Sequence, residues 1–309
     1  MRHLLLCGAA LLLGTSALQA DPKETPFNIM VGEASWLTDA ETIAKAMDHE
    51  SGLRIMPVLG RGSVQAVQDI QTFPTLDAAL VTSDSLTYVK AQSLMDPNET
   101  PLTYISAVKQ LPIVLISTRN IPNLTALAGK RIATGTADSA SFASGELLMG
   151  AMEVPFLRVP AAQEGAVDAL LAGQADAAFF VGLPSNIGKL NRNFRVLSLV
   201  LPKELSTTYQ AAKLSSSDLP NLIPANAPVD TVGTELVLAA SPAATSKDHM
   251  KALKAFTFEL FRQGADNNTM LRADVPGWTR DGTAANLVKT MTANAAPDNP
   301  TITPTGATP

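Results

Sequence analysis

The chain has 309 residues, a formal net charge of −5 and 17% charged residues. That mildly acidic balance is a poor match for nucleic acid or an anionic membrane surface. The single cysteine, Cys7, stands close to the start, so the remaining chain offers no disulfide and no cysteine metal site.

Arg2 and His3 precede an apolar run from Leu4 to Leu13 and the small-residue stretch Thr15–Ala20. This is the layout of a secretory leader cut near Ala20. The run is too short to span a bilayer, and no later stretch supplies the roughly eighteen apolar residues a span requires. Cys7 comes before most of the apolar run rather than after it, which argues against a lipid anchor. The expectation is a soluble, periplasmic chain of about 289 residues, enough for two medium domains.

Phe27–Val31 reads as a strand ending at Gly32, and Thr38 to Glu41 has capping-box spacing. The helix that follows puts Ile43, Ala44 and Met47 on one face. Leu53–Leu59 is a second strand, closed by Gly60-Arg61-Gly62-Ser63 and a helix over Val64–Ile70. Leu76–Val81 is a third strand, apolar on both faces, as in a parallel sheet covered by helices on each side.

The same order recurs: strand Lys130–Thr134, loop Gly135–Ser139, helix Ser141–Met152, strand Phe156–Val159, helix Glu164–Ala172 and strand Ala175–Val181. Two β-α-β-α-β units, each with its own sheet, are therefore expected. Leu102–Thr118 and Thr231–Ala240 are apolar segments placed to carry the chain from one unit to the other and back. Two crossings make a hinge, and a hinge between two α/β lobes makes a cleft. The fold class is α/β, with two Rossmann-like lobes, a hinge and an interlobe cleft. The expected parts are a leader at 1–20, a discontinuous first lobe at 21–120 plus 226–289, a second lobe at 121–225, and a disordered tail at 290–309 rich in Pro, Thr, Ala and Asn. A helix from about Ser246 to Arg262 spaces Met250, Leu253, Phe256, Leu260 and Phe261 for burial.

Candidate ligand-binding residues sit where strands end, because α/β sheets bind ligands at the carboxyl ends of their strands. Gly32, Glu33, Ser35 and Trp36 follow the first strand; Trp36 either stacks on a ligand or packs on its own lobe. Arg61, Gly62 and Ser63 open a helix whose free N–H groups favour an anion. The bland alternative is an ordinary turn with Ser63 as N-cap. Ser83 and Asp84 end the third strand, where Asp84 orients a ligand amine or caps the next helix. Thr136, Asp138, Ser139 and Ser141 hold the matching place in the second unit, with capping by Asp138 or Ser139 as the plain explanation. Gly182 follows the last strand of that unit, and Tyr209 lies in a polar segment that could line the cleft. Arg61 is the expected anchor for a carboxylate, since its planar fork makes two parallel hydrogen bonds.

No catalytic set stands out. There is no Cys–His pair after the leader, no G-x-S-x-G elbow and no His or Cys cluster for a metal. His49 and His249 sit among charged residues and are expected to face solvent. An enzyme is not expected, nor a cofactor.

Met56-Pro57-Val58-Leu59-Gly60-Arg61-Gly62-Ser63-Val64-Gln65, Asp77-Ala78-Ala79-Leu80-Val81-Thr82-Ser83-Asp84, and Val275-Pro276-Gly277-Trp278-Thr279 together resemble the TAXI-type solute receptors of TRAP transporters. The resemblance runs over nearly all of residues 27–283. It implies the type II periplasmic binding protein fold and a monomeric receptor. Such a receptor captures a small organic solute, a carboxylate such as glutamate or 2-oxoglutarate, and delivers it to a membrane permease. The chain departs from the family pattern at its cleft loops, where Glu33, Thr82 and Asp138 replace the usual residues. Glu33 and Asp138 would repel a dianion unless Arg61 offsets them. The alternative is a non-transport sensor or assembly factor on the same fold, with an emptied cleft.

Overall fold

The computed structural model describes residues 25–47, 53–96, 100–243, 245–264 and 269–295. The expected leader and His49 lie outside these residues. The first unit is built from β1 (Thr25–Val31), α1 (Leu37–Met47), β2 (Leu53–Leu59), α2 (Ser63–Thr72), β3 (Ala78–Thr82) and α3 (Ser83–Ala91). The long strand β4 (Thr103–Thr118) leads to the second unit. That unit comprises β5 (Arg131–Ala133), α4 (Ala140–Ala151), β6 (Leu157–Val159), α5 (Gln163–Leu171), β7 (Ala177–Val181), β8 (Phe194–Leu197) and β9 (Gln210–Leu214). Strand β10 (Val229–Ala240) returns, and α6 (Lys247–Gly264), β11 (Thr279–Arg280) and α7 (Gly282–Ala295) finish the first unit.

The strands join in the order β2-β1-β3-β10-β4-β7-β5-β6, with β8 and β11 on β4 and β9 on β10. Within each unit the pairs β1–β2, β1–β3, β5–β6 and β5–β7 are parallel. The crossing strands β4 and β10 lie antiparallel to each other from Thr103–Ala240 to Pro112–Gly233. Beyond that stretch both strands run in the second unit, where Ile113–Ser117 of β4 pair with β7 and Val229–Gly233 of β10 pair with β9. The two expected sheets are thus continuous through the crossing strands. A 16-residue strand such as β4 is long enough to serve both halves.

Alternation along the strands explains the layers. In β1, Phe27, Ile29 and Val31 point to α1, α6 and α7, whereas Met30 points to α2 and α3. Phe27 stacks on Phe256 of α6 with ring centroids 4.3 Å apart. In β7, Phe180 joins Val167 and Leu170 of α5, and Phe179 joins Leu148 and Met149 of α4. Strands covered on both faces have no solvent side, which is why β3 and β7 are buried at every position.

Two expectations change. Helix α7 runs through Thr290–Ala295, where a disordered tail is expected from the sequence. Its inner face carries Leu287, Val288 and Met291 against the first core, a contact that requires a helix there. His249 does not simply face solvent: its Nδ1 lies 2.5 Å from Oδ1 of the buried Asp77, whose Oδ2 accepts the Asn28 N–H at 2.7 Å.

Candidate functional site

The site lies where α3 and α4, one from each half, pack against each other and where the loops before α1, α2 and α4 converge. The loop after β1 is held at both ends. Gly32 N–H donates to the Leu80 carbonyl at 3.0 Å, and a Cβ on Gly32 would lie 2.9 Å from that oxygen. Trp36 N–H donates to the Glu33 carbonyl at 3.0 Å, and the Trp36 indole is buried in the first core. Trp36 therefore packs into the first core. Ser35 is exposed.

Glu33 lies between these anchors, half-buried, and its side chain reaches into the junction. Its Oε1 accepts the Ala140 N–H of α4 at 2.7 Å and, more distantly at 3.5 Å, the Ser63 N–H of α2. Both donors belong to first helical turns, whose N–H groups have no partner within the helix. Val64 and Gln65 N–H, the next two in α2, donate to the Asp138 carbonyl at 2.9 and 3.4 Å. The N-terminus of α2 is thus completed by Glu33 from its own half and by Asp138 from the other. Burial raises the Glu33 carboxyl above its ordinary value, opposed by the two N–H bonds.

Gly62, not Ser63, is the N-cap of α2. Ser63 is instead a buried linker: its Oγ accepts the Thr82 N–H at 2.9 Å and lies 3.3 Å from Thr82 Oγ1. Ser139 does cap α4, accepting the Phe142 N–H at 3.3 Å while donating to the Thr136 carbonyl at 2.8 Å. The Thr136 side chain is exposed. Ser141 Oγ and Thr134 Oγ1 are buried without a hydrogen-bond partner. Arg61 is 73% exposed, with Nε 4.0 Å from Asp138 Oδ2 at the rim. Gly182 lies in the left-handed region (φ 75°), which glycine permits, and ties β7 to β4 through its N–H to the Pro112 carbonyl.

Deeper in, Asp84 is fully buried on α3 and caps nothing. Its Oδ2 accepts Ser144 Oγ–H of α4 at 2.5 Å and Tyr209 O–H at 2.9 Å, both from the second unit. Its Oδ1 lies 3.2 Å from Thr234 Oγ1 on β10. Ser83 Oγ joins Thr234 Oγ1 (3.0 Å) to Glu235 Oε2 (3.1 Å), so a hydrogen-bonded chain runs Glu235–Ser83–Thr234–Asp84. Hydroxyls here stand in for a cation. Burial raises the Asp84 and Glu235 carboxyls, the hydroxyl bonds working the other way. Tyr209 is pushed well above the usual phenol value by burial and then by the Asp84 charge.

Ser144, Thr234 and Glu235 were missed from sequence. The available signal was polarity out of place: a Thr-Glu pair inside the apolar Thr231–Ala240 run and a serine within a small-residue helix. Gln163 was missed as well. It is a buried non-glycine residue at φ 41°, a strained position that clusters at functional sites. With Glu33, Ala34, Ser35, Ala162 and Glu164 it lines a pocket of about 370 Å³ at the mouth of the junction. A larger groove of about 560 Å³, lined by Met149, Glu153, Phe156 and the ion-paired Glu146 and Arg158, lies on the second unit away from this place. Among the described residues no group of three His, Cys, Asp or Glu side chains is arranged to hold a metal, and no helix is long and apolar enough to cross a membrane.

No protein-family model and no curated protein sequence matches the chain. Solved structures match it in fold. PhnD1 of Prochlorococcus marinus, solved in complex with methylphosphonate, is 13% identical over 89% of this chain and 98% of its own, with a TM-score of 0.50. A periplasmic substrate-binding protein of an ABC transporter from Coxiella burnetii is 13% identical over 87% and 97%, with a TM-score of 0.45. The periplasmic aliphatic sulphonate binding protein of Escherichia coli is 14% identical over 87% and 79%, with a TM-score of 0.44. At such identities the likeness concerns fold and not ligand. With its mixed sheet, its parallel units and its two shared strands, the chain has the α/β fold of the type II periplasmic binding proteins.

Proposed function

We propose that the protein is an exported solute receptor of the TAXI type, which captures a small organic carboxylate between its lobes and hands it to TRAP-type permease subunits. One observation carries this reading. Helix N-termini from both halves, at Ser63 and Ala140, converge on a single carboxylate oxygen. Helix N-termini offer oriented N–H groups and a partial positive charge to an anion. When the donors come from two lobes, binding an anion and closing the lobes become one event. The family segments around Gly60–Ser63 and Val275–Thr279 support the TAXI assignment.

In this reading the mature chain begins near Asp21. The first lobe combines 21–120 with the chain from 226 to the end of α7, and the second is 121–225. The solute meets the N–H groups of Ser63 and Ala140, with Ser139, Ser141 and the rim Arg61 nearby. The protein binds and releases without chemistry. Native mass spectrometry of freshly purified protein, followed by calorimetry with dicarboxylates and 2-oxo acids, tests it. A co-purified or titratable carboxylate is expected. Failure of every carboxylate, with another solute class bound instead, removes the reading.

The second reading is a non-transport sensor or assembly factor. The Glu33 carboxylate and the Asp138 carbonyl favour it, because the protein's own groups already occupy the donors a solute would use. Solute uptake by reconstituted permease, with and without the protein, separates the two.

A further inference from the structure

We propose that Glu33 is a built-in occupant of the anion site between the halves, and that its carboxylate holds the protein closed in the absence of solute. The geometry is that of a bound ligand. One oxygen bridges the Ala140 N–H of α4 (2.7 Å) and the Ser63 N–H of α2 (3.5 Å), helices of twelve and ten residues from opposite halves. An external anion at this place would make the same bonds.

Three further observations make this a constructed arrangement. The Glu33 backbone is fixed on both sides, by Gly32 on Leu80 and by the buried Trp36 indole, so the side chain starts from a rigid base. Gly62 meets Asp138 so closely that no solute atom fits between their backbones. The remaining first-turn donors of α2, Val64 and Gln65, are taken by the Asp138 carbonyl. Trp36 is a positioning residue here, acting through Glu33.

A solute carboxylate must displace Glu33 to reach the N–H groups. The effective concentration of a tethered carboxylate is high, in the millimolar range or above for short tethers. Glu33 therefore sets a threshold: weak carboxylates fail to enter, and a successful solute must bring contacts beyond its carboxylate. This threshold rests on the receptor reading; closure without solute does not.

The test uses the full mature chain, dialysed free of small molecules, with small-angle scattering and amide hydrogen exchange. Wild type is expected to be compact, with the Ala140 amide protected and acetate without effect. Glu33→Ala is expected to expand, to lose about tenfold or more of the protection at Ala140, and to close again when millimolar acetate fills the gap. Glu33→Gln keeps the shape and one acceptor but no charge, and should fall between. If Glu33→Ala does not fold by circular dichroism, Glu33→Gln and the wild-type Ala140 exchange decide. A wild type as expanded as Glu33→Ala, or one that acetate compacts equally, overturns the proposal. Outcomes for the two readings differ. A closed wild type whose Glu33→Ala form is rescued by acetate, yet which binds no solute carboxylate, keeps the latch and ends the receptor reading. An open wild type that closes on a dicarboxylate ends the latch and keeps the receptor.

Discussion

Gly62 and Asp138 touch across the two halves: a Cβ placed on Gly62 would lie 2.0 Å from the Asp138 carbonyl oxygen. Gly62 has an extended backbone (φ 163°), which alanine adopts without strain. The obstacle to a side chain is the other half and not the local conformation. Gly62→Ala is therefore expected to leave each half folded while preventing closure, at about 1–3 kcal/mol for the lost or strained contact. Scattering should give a larger radius of gyration with unchanged far-ultraviolet circular dichroism. An unchanged radius would mean that the closed contact contributes nothing in solution.

Tyr209→Phe removes one of the hydroxyls that solvate the buried Asp84 carboxyl. Hydrogen bonds to charged groups are worth more than neutral ones, and a buried group left short of a donor costs about 1–3 kcal/mol. Denaturant unfolding of Tyr209→Phe, Ser144→Ala and the double variant should show non-additive losses, since both hydroxyls address the same oxygen. Strict additivity would argue against a shared network.

Stability should rise as pH is lowered from neutral towards the ordinary carboxylate range. Burial raises Asp84 and Glu235 above their ordinary values of 3.8 and 4.5. In the window between those values and the raised ones, the folded state holds protons that the unfolded chain has released. Stability contributed by that protonation is present at the low end and lost as pH rises. The acids lowered by hydrogen bonds, Asp176, Glu164, Asp218 and Glu259, act in the opposite sense, but only as pH falls below the ordinary carboxylate range. Thermal unfolding from neutral pH down to the ordinary carboxylate range checks the slope, and Asp84→Asn should flatten it. A midpoint that falls steadily over this range would contradict the assignment.

Arg61→Ala should change stability by less than about 1 kcal/mol, because the exposed pair with Asp138 spans 4.0 Å at the rim and is screened by solvent. The melting temperature should be nearly independent of added salt in wild type and variant alike. A large salt-dependent loss would show that Arg61 does more at this rim than its exposed position allows.

The local grammar of the chain was legible without coordinates. Apolar runs bounded by Gly and Pro marked β1 to β3 and β5 to β7, and the two long apolar segments marked β4 and β10 as the strands that join the halves. Those features depend on neighbours a few residues apart, which the sequence displays. It also brought Glu33, Gly62, Ser63, Asp84 and Asp138 to one end of the strands. What each does there was decided by contacts spanning large sequence separations. Glu33 reaches Ala140 over 107 positions, Asp84 reaches Tyr209 over 125, and Ser83 reaches Glu235 over 152. No periodicity encodes such pairs. A serine after a glycine reads as a cap, yet Ser63 turned inward to Thr82. An acid after a strand reads as a cap or a ligand contact, yet Asp84 joined two halves. An arginine in a glycine loop reads as an anion anchor, yet Arg61 lies at the rim while a glutamate holds the helix ends. Burial and the pairing of polar groups, which only the folded chain fixes, made those choices.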